Sequence, residues 1–300
     1  MEIIKRKFVS QNSMSILQFS TEKTDTLEYL SLSHSLNNNL IEITEANDFG
    51  DVNSLGLTNK SKNYIFLSDG DILVGAKQNR VLNTSIFLAP DQKIFMPVSC
   101  VERGRWKKVS DKFSYSDYNV PHSVRFHKTR SVSENLRMKK EFDADQSQVW
   151  KNVDSIYQSF SMESATDNIL DIYAGKEKIL QDFLNDFKID KAANGLAMFV
   201  GDSLLSIDIF NRREIFAEYA PRIIKSGALE IFHLDTDKKA AGVKEVFYKT
   251  ITFLDELENI GIPRNAGAAS GEETRYSSDK VSGFKLEFDN QLVHLSLLQL

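Results

Sequence analysis

The chain has 300 residues, 41% hydrophobic and 26% charged, so it is long enough to bury one large core or two moderate ones. Its net charge of -5 argues against a general nucleic-acid-binding protein, because such proteins normally carry a basic excess. The single cysteine, Cys100, excludes an intramolecular disulfide and a cysteine-based zinc site and fits a reducing compartment. No apolar run approaches the length of a membrane span, so we expect a cytoplasmic protein.

The first part of the chain has the pattern of short strands. Asp69-Gly70 lies between two of these strands and is typical of a hairpin turn. Pro97 lies inside the last strand and indicates an edge position or a bulge, because proline cannot donate a ladder hydrogen bond. The strands are predicted at 55–57, 64–67, 72–74, 80–88 and 94–101, a spacing typical of a sandwich or barrel.

After a polar, aperiodic stretch at 110–130, which we expect to form a long loop, helical patterns dominate. Apolar residues recur at spacings of three and four in two segments, and Pro221 is expected to kink the helix that follows Asn211 or to start a second one. The predicted helices include 145–160, 175–187 and 236–259, the last ending at Gly261 and Pro263, and the predicted hairpins are 196–209 and 283–298.

These patterns predict an α+β protein. A β-rich, sandwich- or barrel-like N-terminal half, residues 1–130, is expected to pack with a helix-rich α/β C-terminal half, residues 131–300. One continuous domain is the alternative arrangement.

The first candidate site is the polar segment 77–80, which lies between two apolar strands. Lys77 and Arg80 offer positive charge, and the guanidinium fork of Arg80 suits carboxylate or phosphate contacts. Gln78 and Asn79 add hydrogen-bonding groups. The alternative interpretation is an exposed, solvated loop at a sheet edge.

The second candidate site follows the last predicted strand. Glu102 and Arg103 lie close to Trp106, a combination that could hold a ribose and stack a nucleobase, with Glu102 as a general base or hydroxyl acceptor. A surface ion-pair cluster, with Trp106 as part of the core, is the alternative interpretation.

The third candidate is the glycine-rich segment 267–275, which contains Glu273 and Arg275. Small residues allow a ligand to approach the backbone, but neither a phosphate-binding P-loop nor a dinucleotide-binding G-x-G-x-x-G motif is present. No two histidines have the helical H-x-x-x-H spacing, so no metal site is predicted. The sequence motifs do not indicate which cofactor, if any, the protein uses. Cys100 lies in an apolar strand and is expected to be a core residue.

The segment DILVGAKQNRVLNTSIFLAPDQKIFMPVSCVERGR (71–105) resembles the signature of the ARG and rhodanese-phosphatase-superfamily-associated protein domain, where ARG denotes ADP-ribosylglycohydrolase. Three later stretches are similar to the same family: GDSLLSIDIF (201–210), PRIIKSGAL (221–229) and GEETRYSSDKVSGFKLEFDNQLVHLSL (271–297). The resemblance covers most of the chain from about residue 30 onward. The name implies a gene neighbourhood linked to NAD and ADP-ribose metabolism, and it does not imply a reaction.

On this resemblance, the leading hypothesis is binding of an ADP-ribose-like or NAD-derived nucleotide, with hydrolytic processing as a further step. The polar positions in the matching blocks then receive roles. Catalysis is assigned to Glu102 and Glu273, and ligand binding to Lys77, Gln78, Asn79, Arg80, Arg103, Trp106 and Arg275.

A non-enzymatic component of a bacterial stress or defence module, with a protein partner instead of a small-molecule nucleotide, is the alternative hypothesis. Buried structural ion pairs are a third interpretation of the same clusters. A single site requires Lys77, Glu102 and Arg275 to converge on one cleft.

Overall fold

A computed structural model describes residues 1–47, 50–139, 141–233, 238–257 and 264–300. Of the described residues, 31% lie in helices and 36% in strands and bridges, which confirms the predicted α+β class. The strands are β1 (Ile3–Gln11), β2 (Met14–Thr21), β3 (Tyr29–Ser31), β4 (Ile41–Glu45), β5 (Ser54–Asn59), β6 (Tyr64–Leu67), β7 (Asp71–Gly75), β8 (Arg80–Leu82), β9 (Ile86–Leu88), β10 (Lys93–Cys100), β11 (Phe113–Asn119), β12 (Gly195–Val200), β13 (Ser203–Phe210), β14 (Asn265–Ala266), β15 (Glu272–Ser277), β16 (Val281–Phe288) and β17 (Gln291–Gln299). The helices are α1 (Leu32–Asn37), α2 (His122–Lys139), α3 (Gln146–Ser159), α4 (Ile169–Asn185), α5 (Arg213–His233) and α6 (Val243–Glu256).

The chain folds into two compact units that are interleaved in sequence. The first unit comprises residues 1–27, 177–265 and 272–300, and the second comprises residues 28–176 and 266–271. The boundary predicted at residue 130 lies within α2. None of the helices in the described ranges is long and apolar enough to cross a membrane.

The first unit is built on one sheet with the strand order β1-β2-β12-β13-β17-β16-β15-β14. Strands β2 and β12 are buried along their whole length, because helices cover both faces. Helix α6 packs Val246 and Leu254 into the apolar cluster on one face, and Tyr219 of α5 stacks on Phe210 on the other, with 5.6 Å between ring centroids. The two predicted C-terminal hairpins are confirmed as the antiparallel pairs β12–β13 and β16–β17.

The second unit contains a six-stranded sheet, β11-β7-β8-β10-β5-β4, and a three-stranded sheet, β3-β6-β9. Its core is apolar and includes Leu57, Leu73 and Val98. Pro97 lies where β10 changes partner, since β10 pairs with β5 up to Pro97 and with β8 from Val98 onward. A residue without an N–H is tolerated at this position, because the strand changes its hydrogen-bonding partner there.

The helices with apolar periodicity agree with the prediction. Helix α3 begins after Asp145, whose carboxylate accepts the N–H groups of Ser147 and Gln148 as an N-cap. Helix α5 continues through Pro221 as one helix. Helix α6 covers the central part of the predicted 236–259 segment; its predicted end at Gly261 and Pro263 lies outside the described residues.

The long loop predicted at 110–130 is wrong. Strand β11 and the first half of α2 occupy this stretch. Helix α2 buries polar residues, among them Arg125, Lys128 and Thr129, all at most 1% exposed, together with apolar residues such as Phe126 and Val132. The buried polar side chains interrupt the apolar stripe, so the hydrophobic periodicity of this helix is weak.

The hairpin predicted at Asp69-Gly70 is also wrong, because β6 and β7 lie in different sheets. The Asp69 side chain points into the second unit, where its carboxylate pairs with Lys128 and, at 2.8 Å, with Nε of Arg125. Lys128 also donates to the carbonyl of Asn83 at 3.0 Å. The turn therefore fastens α2 to the strands through a buried ionic cluster.

Replacing Asp69 with asparagine should destabilise the protein strongly, because two buried cations lose the carboxylate that they share. We expect D69N to lower the free energy of unfolding by about 3 to 5 kcal/mol, measured by chemical denaturation. D91N is the matched control, since Asp91 pairs with Lys62 at the exposed surface and should cost less than about 1 kcal/mol. Equal, small losses for both variants would contradict the ionic anchoring of α2.

Candidate functional site

The segment 75–80 forms a tight turn between β7 and β8. Gly75 has φ +132°, and a Cβ there would lie 2.6 Å from Oγ of Ser110, so only glycine fits without a shift. Ala76 has φ +43° and donates its N–H to the same Ser110 oxygen at 2.8 Å. The turn is thus held in a conformation that returns the chain directly into β8.

Glu102 holds this turn from the other side. Its carboxylate accepts the N–H of Asn79 at 3.1 Å, the Thr166 hydroxyl at 3.1 Å, and two guanidinium nitrogens of Arg105 at 2.6 and 2.8 Å. Burial raises the pKa of Glu102, but the hydrogen bonds from Arg105 and Asn79 outweigh it and bring the pKa below its ordinary value. Glu102 is therefore an ionised anchor whose two oxygens are fully engaged.

Arg105 completes this clamp, although sequence reasoning did not select it. Besides its two bonds to Glu102, it donates to the carbonyl of Ala76 at 2.8 Å and to Oδ1 of Asn79 at 3.2 Å. The paired fork of guanidinium and carboxylate is a strong, directional contact. The segment that carries Arg105 and Trp106 is consequently fixed against the 75–80 turn.

Gln78 and Asn79, both predicted to bind ligand, are buried and support their neighbours. Asn79 accepts the N–H of Gly75 at 3.1 Å and donates to Oδ1 of Asn168 at 3.1 Å. Gln78 donates to the carbonyl of Arg103 at 3.2 Å and accepts from Arg80 at 3.2 Å. Their amide groups thus orient the turn and one edge of Arg80.

Arg80 is the anomaly of this region. Its side chain is fully buried, yet among the described residues only Nη1 has a hydrogen-bond partner, while Nε and Nη2 have none. Buried donors without acceptors cost about 1 to 3 kcal/mol each, and more when they are charged. A buried arginine in this state is therefore a candidate group for binding an acceptor such as an anion.

The Trp106 ring lies close to both Arg80 and Lys77. The Arg80 guanidinium carbon is 5.8 Å and the Lys77 Nζ 5.6 Å from the centroid of the Trp106 ring, within the range of a cation–π contact. Trp106 is 49% exposed, so part of its ring remains open to solvent. Gly50 approaches the same group, since a Cβ there would lie 3.2 Å from the Trp106 ring and 3.1 Å from the Lys77 side chain.

Glu45, at the end of β4, is a further member of this group that sequence reasoning missed. Its Oε1 accepts the N–H of Lys77 at 3.0 Å, while its buried Oε2 has no hydrogen-bond partner in the described part of the chain. No local pattern could reveal this residue, because the contact with Lys77 spans 32 positions. Glu45, Lys77, Arg80 and Trp106 are named the Arg80 site below.

Cys100 lies beside the Arg80 site and is a core residue, as predicted. It pairs with Arg80 across β8 and β10 and is completely buried. Burial raises the pKa of its thiol to about 11, although the charge of Arg80 opposes the rise. The thiol is therefore protonated at neutral pH and serves as packing.

Arg103 lies at the surface. Its guanidinium contacts Asp154 at 2.9 Å and Asp167 at 2.7 Å, and these hydrogen bonds, with Asp167 first, raise its pKa. Two carboxylates already neutralise this cation, so a phosphate would have to displace them. Its predicted phosphate-binding role stays a prediction.

Glu273 and Arg275 belong to the first unit, on β15. Both are buried, Arg275 donates Nε to Glu273 at 2.5 Å, and its guanidinium lies 5.0 Å from the centroid of the Phe284 ring. This is the geometry of a buried ion pair, the third interpretation of the sequence. Convergence of these residues with Lys77 and Glu102, which lie in the second unit, stays a prediction.

The same face of the first sheet carries a polar pair that sequence reasoning missed. Nε2 of His294 lies 3.4 Å from Oδ1 of Asp208, with both side chains fully buried, and the imidazole stacks on Phe210 with 4.4 Å between ring centroids. Arg222 and Lys225 of α5 are also buried. In the sequence these residues are marked only by polar residues at alternate positions of otherwise apolar strands, as at Asp208 and His294.

The described residues bring together no group of three or more potential metal ligands among His, Cys, Asp and Glu side chains.

The fold and the site define the class: an α+β protein whose second unit carries a buried, incompletely paired arginine beneath a half-exposed tryptophan. Over residues 4–298 the chain matches the family described as the ARG and Rhodanese-Phosphatase-superfamily-associated Protein domain, and it belongs to that family. This confirms the resemblance seen in the sequence. No curated protein and no solved structure matches the chain.

Removing the charge of Glu102 should loosen the clamp. We expect E102Q to lower the free energy of unfolding by about 2 kcal/mol at pH 7, because Arg105 loses its charged partner. Since the pKa of Glu102 is lowered in the folded protein, its stabilisation is present above its ordinary value of about 4.5 and is lost as the pH falls.

The difference between wild type and E102Q should therefore shrink on acidification, measured by denaturation at pH 7 and pH 3.5. E134Q is the control, since Glu134 pairs with Arg130 at the exposed surface and should cost less than about 1 kcal/mol. A pH-independent loss in E102Q would show that the ionised clamp is not the source of its effect.

Proposed function

We propose that the Arg80 site binds an ADP-ribose-like or NAD-derived nucleotide. The observation that carries the proposal is the buried guanidinium of Arg80, whose Nε and Nη2 have no acceptor among the described residues. These two nitrogens form one edge of the guanidinium fork, and that edge matches two oxygens of a phosphate. Lys77, on the same tryptophan ring, adds a second positive charge.

The other arginines near Arg80 are already paired, which leaves Arg80 as the arginine that can bind an anion. Arg105 is already neutralised by Glu102 and Arg103 by its two aspartates, so they do not compete for the ligand. A phosphate bound by Arg80 would be withdrawn from water, where a charge-assisted hydrogen bond contributes more than at an open surface.

Trp106 supports recognition of a base. The open part of its indole ring offers a stacking surface for adenine, a contact that contributes about 1 to 3 kcal/mol per base in comparable sites. The unpaired nitrogens of Arg80 have almost no exposed surface, so neighbouring side chains have to move before an anion reaches them.

The family description supports the same ligand class. It associates the domain with ARG, which we interpret as ADP-ribosylglycohydrolase, and with the rhodanese-phosphatase superfamily. Such an association favours a ligand that contains ADP-ribose over an unrelated phosphate compound.

Calorimetric titration with ADP-ribose and NAD should detect binding that depends on Arg80. We expect R80Q to weaken it about tenfold or more, because a charged hydrogen-bond donor is lost. R130Q is the matched control, since Arg130 is a surface arginine paired with Glu134. The tryptophan emission of the wild type should change on binding, and W106F should abolish that change. A folded wild type that binds neither compound at millimolar concentration would overturn the proposal.

Hydrolytic processing is the second part of the proposal, with Glu102, which lies in the same unit as Arg80, as the candidate base. Its carboxylate is engaged by Arg105, so it acts only if ligand binding releases an oxygen. In this step water breaks the diphosphate bond of ADP-ribose to give AMP and ribose 5-phosphate, and chromatography of both products with wild type and E102Q measures it. Binding without any product over hours would leave a binding protein and remove the hydrolase.

The alternative is a protein-interaction component. It is supported by the exposure of the large apolar side chains of Phe95 and Val109 in the second unit. The titration separates the two functions, because an interaction protein would bind no nucleotide and R80Q would leave its partner binding unchanged.

A further inference from the structure

Glu45 gives the Arg80 site an acceptor that the ionised phosphates of a nucleotide cannot use. One of its oxygens is held by the Lys77 N–H, and the other, Oε2, is buried with no hydrogen-bond partner in the described ranges. A carboxylate oxygen in this state needs a donor, and a fully ionised phosphate has none to offer. The site therefore presents unused donors on Arg80 and an unused acceptor on Glu45.

A ligand group that has both a negative charge and hydroxyls can satisfy the donors of Arg80 and the acceptor of Glu45 together. We infer that the part of the ligand entering the Arg80 site is a ribose phosphate, with its phosphate on Arg80 and a ribose hydroxyl donating to Glu45 Oε2. The inference rests on the proposed function and deepens it, because it assigns which portion of an ADP-ribose-like ligand is read.

The backbone fixes Glu45 for this role. Glu45 pairs with Leu55 at the end of β4, and its Oε1 is tied to the N–H of Lys77 at 3.0 Å. The Lys77 side chain in turn lies on the ring that covers Arg80. Glu45 is thus linked to Arg80 by three contacts in series, which pass through Lys77 and Trp106.

The negative charge of Glu45 also makes the site selective. A carboxylate close to the phosphate position repels a bare phosphate, whereas a hydroxyl that bonds to the carboxylate offsets the repulsion. We assign the 2-hydroxyl of the ribose as the donor, so the site should favour ribose 5-phosphate over inorganic phosphate and over 2-deoxyribose 5-phosphate.

The experiment is a calorimetric titration of the full chain with inorganic phosphate, ribose 5-phosphate and 2-deoxyribose 5-phosphate. We expect the wild type to bind ribose 5-phosphate about tenfold or more tightly than the deoxy compound. E45Q keeps an acceptor for the Lys77 N–H but removes the charge. It should bind ribose 5-phosphate more weakly and inorganic phosphate more tightly than the wild type, two changes of opposite sign.

E42Q is the matched control, because Glu42 lies on the same strand and pairs with Lys60 and Lys112 at the surface; it should keep the wild-type preferences. Equal binding of the two sugar phosphates by the wild type, or a uniform loss for all three compounds in E45Q, would overturn the role of Glu45 and leave phosphate binding by Arg80 intact. Failure of the wild type to bind any of the three compounds, or ADP-ribose, would instead remove the proposed function. The wild-type comparison needs no variant, so it stands even if E45Q does not fold.

Discussion

The ion pair between Glu102 and Arg105 is the contact on which the site depends. Its four atoms meet in a paired fork, with Nε and Nη2 of Arg105 at 2.8 and 2.6 Å from the carboxylate. The same carboxylate binds the N–H of Asn79, and the same arginine binds the carbonyl of Ala76. Two chain segments more than twenty residues apart are thereby held together. A half-buried pair of this kind specifies a geometry as much as it stabilises the fold.

The clamp allows the protein to keep an unfavourable arrangement beside it. Arg80 is buried with two guanidinium nitrogens that lack acceptors in the described chain, and Glu45 is held nearby with an unused oxygen. A flexible turn would relieve both by exposing them to water or by bringing them together. The fixed 75–80 turn prevents this relaxation. The free-energy cost of the unsatisfied groups therefore persists in the free protein, and a bound ligand would offset it.

The sequence predicts elements well where the buried face is apolar and poorly where it is polar. Helix α3 has Val149, Val153 and Ile156 at helical spacing and is predicted nearly to its ends. Helix α2 escapes prediction because it buries Arg125 and Lys128 against Asp69. Within the site, segments 77–80 and 102–106 can be identified from the sequence as candidate binding segments, because their polar residues lie next to apolar strands. The place of Glu45 cannot, since it is set by strand pairing and a contact over 32 positions.

The binding role of Arg80 is tested most directly by following the Arg80 side chain itself by NMR. Its Nε–H signal can be assigned in nitrogen-15 spectra as the arginine resonance that R80Q removes, and then followed during titration with ADP-ribose. We predict that the signal shifts and that its exchange with water slows as the ligand saturates the protein, because an acceptor has reached the buried nitrogen. A signal that stays unmoved while the ligand binds elsewhere would contradict the central claim that Arg80 is held ready for an anion.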